Sequence, residues 1–210
     1  MPRRARISRE GIVGAAIGLV GREGMGAFTM ARVGRELGVE AMSLYNHFSS
    51  KDALLDEIAE TLVGEVRLPG EAEGWEDFLR RAARSVRQLA HEHPALFPVV
   101  LDRVPNLAAE ARLIEAYLRM MRRAGFGGSE AMGAFQALSS FAIGYALSEI
   151  RGFAPQPGRA ELAPGELPPE EFPGISATAQ GFEDIDRDAE FDFCVSLILN
   201  GLRATQHEER

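Results

Sequence analysis

This 210-residue sequence has almost no cysteine, since Cys194 is the only one. A single cysteine forms no disulfide within the chain, which fits a reducing compartment, and it is most simply a small apolar packing residue. The sequence also has no run of about 18 apolar residues and no leader of charged and then apolar residues. These absences exclude a disulfide scaffold and a transmembrane helix, and they predict a cytoplasmic protein.

Motifs for catalysis and for metal binding are scarce as well. The sequence has no Gly-rich phosphate loop, no Gly-x-Ser-x-Gly element and no Cys/His ligand cluster. His91 and His93 lie two positions apart on a predicted helix, so their side chains should point to nearly opposite sides and not share one metal. The sequence therefore predicts neither an enzyme nor a bound metal or other cofactor.

Charge is present but unevenly divided along the chain. The net charge of −8 separates into +4 over residues 1–51 and −12 over the remainder. Three arginines in residues 3–6 form a basic arm, which either reaches DNA or is a solvated tail that adds only diffuse charge. This asymmetry is typical of a basic head that contacts phosphates and an acidic body that does not.

The stretch from Phe28 to Phe48 holds the most informative pattern. Thr29 is a good N-cap for a short amphipathic helix, and Gly38 can end that helix with a positive φ. The apolar anchors are Met30, Val33 and Leu37 in this helix and Val39, Leu44 and Phe48 in the next. Two short helices joined by a tight turn predict a helix-turn-helix, whose second helix enters the DNA major groove. The alternative is an amphipathic hairpin with no such role.

Flanking patterns suggest how this motif is held. Ser8 caps a first helix that packs against the motif, and Ser49-Ser50 caps a fourth helix that runs from Lys51 to about Arg67. A break at Leu68-Pro69-Gly70 follows. We therefore expect a DNA-binding head over residues 1–50, a linking helix over 51–67, and a ligand-binding and dimerisation domain over 74–210.

The second half of the chain predicts further helices, so the expected fold class is all-α. The row Arg80, Arg81, Arg84 and Arg87 is interpreted as a solvated face rather than a second nucleic-acid patch. Residues 153–187 hold six of the eleven prolines and predict an irregular, partly mobile loop. The helices predicted over 129–152 and 188–206 have more apolar surface than one subunit can cover. They predict a homodimer with a four-helix interface.

Several segments of the first 60 residues resemble the tetracycline repressor (TetR) family of bacterial regulators. These segments are Gly38-Val39, Ser43-Leu44-Tyr45-Asn46-His47-Phe48 and Lys51-Asp52-Ala53-Leu54-Leu55. A weaker likeness to the tetracycline-binding members extends into the second half. The resemblance implies an all-helical homodimer that binds double-stranded DNA at a palindromic operator and is released by a small-molecule effector, without a membrane. The alternatives are a helical protein-interaction module without operator binding and an enzyme that works in the C-terminal cavity.

The resemblance also implies roles for individual residues. Those at phosphate-contacting positions are Thr29, Tyr45, His47 and Lys51, and those that read or approach bases are Arg32, Ala41, Met42, Ser43 and Asn46. The apolar side chains on helices that surround the family's pocket are Val86, Phe97, Val100, Tyr117, Met121, Leu138 and Phe141. The resemblance places Arg67 and Arg103 near the ends of this pocket, where they would take an acidic substituent. The alternative is that the seven apolar residues simply fill a core.

Five positions depart from the tetracycline binders. Those proteins have a polar amide at Ala82, a phenyl ring at Val86, histidines at Val100 and Ser140, and an acid at Ser148. Without these groups, a magnesium–tetracycline chelate has nothing to hold it. The sequence therefore predicts a different and more apolar ligand.

Overall fold

The structure is a computed structural model that describes residues 7–66, 74–103, 108–151, 167–177 and 186–208. Within these ranges every regular element is a helix, which confirms the all-α prediction. The helices are α1 (Arg9–Glu23), α2 (Met30–Glu36), α3 (Ala41–Tyr45), α4 (Lys51–Gly64), α5 (Trp75–Glu92), α6 (Phe97–Leu101), α7 (Ala108–Arg123), α8 (Gly128–Arg151), α9 (173–177) and α10 (Arg187–Glu208). None of the described helices has the length and apolarity needed to cross a bilayer.

Hydroxyl side chains set the starts of α1, α2 and α4, as the sequence predicted. Ser8, Thr29 and Ser50 accept hydrogen bonds of 3.1, 3.2 and 3.0 Å from the backbone N–H groups of Gly11, Arg32 and Ala53. Each bond satisfies an N–H group that has no partner inside its own helix. Local hydrogen bonds therefore fix the first turn of each of α1, α2 and α4.

Two glycines shape the turn between α2 and α3. Gly38 has a φ of +67°, as expected for the residue that reverses the chain. Gly34 accepts a 2.9 Å hydrogen bond from the N–H of Val39, and a Cβ atom on Gly34 would lie 2.8 Å from the carbonyl oxygen of Val39. The turn thus depends on Gly34 as well, because any side chain there would push the two helices apart.

The buried residues form two cores. The first joins α1–α4 to the end of α5, to α6, and to parts of α7 and α8; its members include Ile12, Leu19, Leu44, Ile58, Leu89, Phe97, Val100 and Ala146. The second lies between α5, α7, α8 and α10; its members include Phe78, Leu79, Tyr117, Met121, Leu138 and Phe191. The first core crosses the break predicted at residues 68–70, because α4 packs against α1 and also against α6 and α7.

The arginine row of α5 is only partly a solvated face. Arg81 and Arg84 are exposed, whereas Arg80 and Arg87 are half-buried, so the interpretation was wrong for Arg80 and Arg87. Arg80 donates to Ser196, at 2.7 Å, and Arg84 makes a two-bond pair with Asp192, at 2.5 and 2.9 Å. Arg87 likewise pairs with Glu149 of α8 and with Asp188 of α10. Polar groups of these two later helices face the row, which sequence neighbours alone do not reveal.

The ion pairs and hydrogen bonds between these arginines and residues of α8 and α10 form a seam. Its least exposed ion pair is that of Arg87 with Glu149. The Arg87 guanidinium donates to both oxygens of Glu149, at 2.7 and 2.8 Å, and lies over the Phe191 ring, 5.0 Å from its centroid. Burial raises the pKa of the Glu149 carboxyl, but hydrogen bonds from Arg87 and His91 outweigh burial and hold the pKa below its usual value. The pair therefore ties α5 to α8 with an ionised carboxylate.

Several element boundaries also differ from expectation. α4 ends at Gly64, with Glu65 as its C-cap, rather than near Arg67, which lies outside the described residues. The loop predicted as irregular over 153–187 contains the short helix α9, and residues 152–166 and 178–185 are not described. On α7, the buried residues are Ala109, Tyr117, Met120 and Met121, and Ala111 is exposed.

Candidate nucleic-acid interface and ligand cavity

The short helix α3 is held from one side and open on the other. Leu44 and Phe48 are buried in the first core, whereas Met42 is 70% exposed and Tyr45 is 45% exposed. A long apolar side chain and an aromatic ring next to each other at the surface mark an interaction site more often than a neutral surface. The exposed side of α3 is therefore the candidate reading surface.

The nine residues predicted to contact DNA all lie between the N-cap of α2 and the first residue of α4. Thr29, Met42, Tyr45, Asn46 and Lys51 are exposed, and Arg32, Ala41, Ser43 and His47 are half-buried. Arg32 forms an ion pair with Glu23 at 2.6 Å. A contact between Arg32 and a base would therefore have to replace that pair. The Lys51 ammonium lies over the Phe28 ring, 5.0 Å from its centroid.

Arg9 is a residue that sequence reasoning missed. Its guanidinium donates to the backbone carbonyl of His47, at 2.5 Å, and to the carboxylate of Glu57, and it lies 4.2 Å from the centroid of the Phe48 ring. These contacts join α1 to α4 and to the chain just after α3. The partners are 38 and 48 residues away in sequence, so no local spacing could have identified them.

A small cavity of about 90 Å³ lies between α5, α7 and α8. Its walls are Val66, Phe78, Ala82, Ala83, Val86, Leu113, Tyr117, Phe135, Leu138, Ser139 and Ala142. The Tyr117 hydroxyl donates to the carbonyl of Ala131, at 2.8 Å, and burial raises the pKa of Tyr117 well above its usual value, so this donor stays protonated. The Ser139 hydroxyl donates to the carbonyl of Phe135, at 2.7 Å. Since both hydroxyl groups already donate to backbone carbonyls, the cavity presents a mainly apolar surface to a ligand.

Comparison with known protein families gives a match for each half of the chain. Residues 12–58 match the family described as bacterial regulatory proteins, tetR family, and residues 68–206 match the tetracyclin repressor-like C-terminal domain. The chain belongs to the TetR family. It is therefore a DNA-binding transcriptional regulator, as the helix-turn-helix and its resemblance predicted.

Two relatives and one solved structure show how far this similarity extends. The chain is 30% identical to tetracycline repressor protein class D of Escherichia coli over 168 residues, which cover 79% of this chain and 77% of that protein. It is 29% identical to the class A repressor from transposon 1721 of Escherichia coli over 197 residues, covering 91% and 88%. The TetR family protein ActR from Streptomyces coelicolor, in complex with actinorhodin, has a TM-score of 0.82 and 28% identity, covering 96% and 97% of the two chains.

The structure brings together only some of the residues that the TetR resemblance placed at a pocket. Val86, Tyr117 and Leu138 line the cavity. Met121 and Phe141 pack in the second core without lining this cavity, and the Phe141 ring centroid lies 5.4 Å from that of Phe191. The difference arises because neighbouring positions on one helix face different partners, and a simple apolar stripe does not separate a cavity wall from a core.

The short helix α6 contributes no residue to the wall of this cavity. Phe97 and Val100 are buried in the first core because α6 packs against α4, and neither lines the cavity. Arg103, just after α6, has its Nε 3.1 Å from Asp56 and its Nη2 3.4 Å from Asp52. Arg103 therefore links α6 to the first turns of α4.

Proposed function

We propose that this TetR family regulator is a homodimeric repressor that leaves a palindromic operator when a small, largely apolar molecule enters the cavity. One connection carries the proposal. Val66, two residues beyond α4, is part of the cavity wall, and α4 begins with Lys51, directly after the helix-turn-helix. Any change of cavity shape that moves Val66 thus acts on the helix that positions the head.

The DNA contacts that we propose follow the exposure of the head. Thr29, Tyr45, His47 and Lys51 contact phosphates, and Arg32, Ala41, Met42, Ser43 and Asn46 read or approach bases. Lys51 opens α4, where free backbone N–H groups and the helix dipole favour an anion. The exposed amide of Asn46 can pair with adenine through two hydrogen bonds.

Uncovered apolar faces on α8 and α10 support the dimer. Phe193 and Leu197 of α10 are 62% and 56% exposed, and Met132 of α8 is also exposed. The glycines of α8 at 133 and 144 are exposed too, which lets another helix approach closely. Pairing of α8 and α10 with their two-fold mates covers these faces in a four-helix interface. The two heads of such a dimer then meet successive major grooves of a palindrome.

The cavity also suggests how the ligand acts. Sites for drug-sized ligands usually measure about 300–1,000 Å³, so a cavity of about 90 Å³ must widen to admit one. Widening separates α5, α7 and α8 and displaces Val66. If the ligand favours the head spacing that does not fit DNA by about 3 kcal/mol, operator affinity falls roughly 100-fold. An apolar wall favours a flat or hydrophobic guest, and the similar ActR was crystallised with actinorhodin and with (S)-DNPA.

A matched pair of cavity variants tests the ligand site. Ala82→Phe places a ring in the cavity, whereas Ala111→Phe places the same ring on the exposed side of α7. Gel shifts would use the DNA upstream of the chain's own reading frame, with a panel of flat aromatic compounds that includes actinorhodin and magnesium–tetracycline. We expect both variants to bind the DNA and only Ala82→Phe to resist release, and we expect magnesium–tetracycline to release neither protein. Release of Ala82→Phe at the wild-type ligand concentration would place the ligand elsewhere.

The DNA contacts are tested at two exposed positions. Lys51→Ala should weaken binding to every sequence and reduce the salt slope by about one, because a phosphate contact carries no base information. Asn46→Ala should relax the choice at one base pair by about 1–3 kcal/mol. Arg122→Ala, which removes an exposed cation at the end of α7, is the control. An unchanged salt slope for Lys51→Ala would remove Lys51 from the interface.

A further inference from the structure

The C-terminal ends of α4 and α5 bring three metal-ligating side chains together. Glu65 is the C-cap of α4, Glu92 is the last residue of α5, and His93 is the C-cap of α5. One ligand atom of each, an imidazole nitrogen and two carboxylate oxygens, lies within 4.8 Å of the other two. Glu65 lies 27 residues before Glu92 in the sequence, so the fold, and not chain proximity, brings these side chains together.

The electrostatics of this corner favour a cation. Two carboxylates that approach each other repel unless positive charge lies between them. Both helices also end here, so their unpaired carbonyl groups and the negative ends of their dipoles face the same region. The imidazole Nε2 of His93 lies 3.6 Å from the nearer oxygen of Glu65, and its side chain is only 20% exposed.

We propose that Glu65, Glu92 and His93 bind a divalent transition-metal ion, with Zn²⁺ as the best match. Zinc takes imidazole nitrogen and carboxylate oxygen at about 2.0–2.2 Å, and three protein ligands leave a fourth position for water. Imidazole selects against Mg²⁺ and Ca²⁺, which prefer oxygen ligands throughout.

Small side-chain rotations complete the site. Tetrahedral zinc sets its ligand atoms about 3.5 Å apart, and the half-exposed side chain of Glu65 has room to close that distance. His93 is held by its backbone, whose N–H donates to the carbonyl of Leu89 at 3.0 Å. The amide of Gln88 donates a hydrogen bond to the carboxylate of Glu92, at 2.7 Å, and so orients this ligand.

This site is not a His91–His93 pair, which the sequence analysis rejected, and it goes beyond the expectation that no metal is bound. His91 lies away from the cluster and contacts Glu149, at 2.9 Å, whereas the partners of His93 are the adjacent Glu92 and a residue of another helix. The site is also separate from the apolar cavity, although Val66 is the neighbour of Glu65. The ion fastens α4 to α5 whether or not the proposed ligand mechanism holds.

Calorimetric titration of the full-length protein with Zn²⁺, after a chelator has removed bound metal, tests the proposal without DNA or effector. The wild-type protein should bind one zinc ion per chain at this site, and zinc should raise its melting temperature. His93→Gln should weaken binding by about 100-fold or more, since loss of an outer hydrogen-bond partner alone costs about 10–100-fold. His91→Gln is the matched control and should bind as the wild type does.

A second variant separates metal binding from folding. Glu65→Gln combined with Glu92→Gln changes two exposed side chains, so this protein should fold normally and lose the site even if His93→Gln does not fold. Co²⁺ should give the visible absorption of a nitrogen- and oxygen-ligated ion in the wild type and not in the double variant. The proposal is overturned if the wild type binds no zinc, if the double variant binds zinc as tightly as the wild type, or if His91→Gln loses binding equally.

Discussion

The head and the C-terminal half of this TetR family protein are built in different ways. In the head, side-chain caps start α1, α2 and α4, and the backbones of α2 and α3 touch at Gly34. The C-terminal half instead contains a cavity, an ion-pair seam through Arg87, and exposed apolar side chains on α8 and α10. Local caps and close backbone packing thus define the head, whereas the C-terminal half combines ion pairs with the cavity that we propose for the ligand.

The largest effect should come from removing the anchor of the reading helix. Leu44 is the buried residue of α3, so Leu44→Ala should lower the free energy of unfolding by about 2–5 kcal/mol and abolish operator binding. Met42→Ala, on the exposed side of the same helix, should change stability by less than about 0.5 kcal/mol. Urea unfolding of the two variants measures the difference. Equal stabilities would mean that α3 is not held by the core.

A smaller loss should follow from a methyl group at Gly34. Because its Cβ would meet the carbonyl oxygen of Val39, Gly34→Ala should destabilise the protein by about 1–3 kcal/mol and weaken DNA binding. In Gly21→Ala the new methyl group meets nothing within 4 Å, so this variant should be as stable as the wild type or more so. Thermal unfolding and gel shift compare them. A stable Gly34→Ala with full DNA affinity would show that the turn tolerates a wider angle.

The smallest effect should lie in the ion-pair seam and should depend on pH. The lowered pKa of Glu149 means that its carboxylate stabilises the fold above pH 4.5 and that this contribution is lost as the pH falls through the lower folded-state pKa. Glu149→Gln should cost about 1 kcal/mol at pH 7 and progressively less in acid. Glu36→Gln, at the more exposed pair with Arg22 in the head, is the control.

Fluorescence provides the readout for this comparison. Trp75 is the single tryptophan and packs edge-on against Phe126, so its emission reports on the C-terminal half during denaturant unfolding. The difference between wild type and Glu149→Gln should shrink between pH 7 and pH 3. A constant difference would mean that the Glu149 charge contributes nothing to the seam.

What the sequence predicted well depends on residues close together in the chain. The caps at Ser8, Thr29 and Ser50 and the positive φ of Gly38 follow from chemistry within four residues, and the helix-turn-helix is the sum of such local preferences. The all-α fold follows in the same way from helical spacing of apolar residues. These features do not require knowledge of which helices meet.

What it predicted poorly depends on distant partners. The pairing of Arg84 with Asp192 and the reach of Arg9 to His47 join segments 108 and 38 residues apart. The five-residue helix α6 is too short for its spacing to show which elements it packs against, so the sequence left open whether Phe97 and Val100 line a pocket or fill a core. Packing of α6 on α4 decides their place, and packing is a property of the assembled fold.

The continuity of the first core limits how this protein can be recombined with its relatives. One face of α4 is covered by α1, and another by α6 and α7 of the C-terminal half. A head cut after α4 would expose to water the part of α4 that α6 and α7 cover, and a head grafted onto a foreign C-terminal half would meet a surface not shaped for it. Chimaeras that exchange operator preference therefore need to keep the native α4 and replace only the residues that α2 and α3 expose.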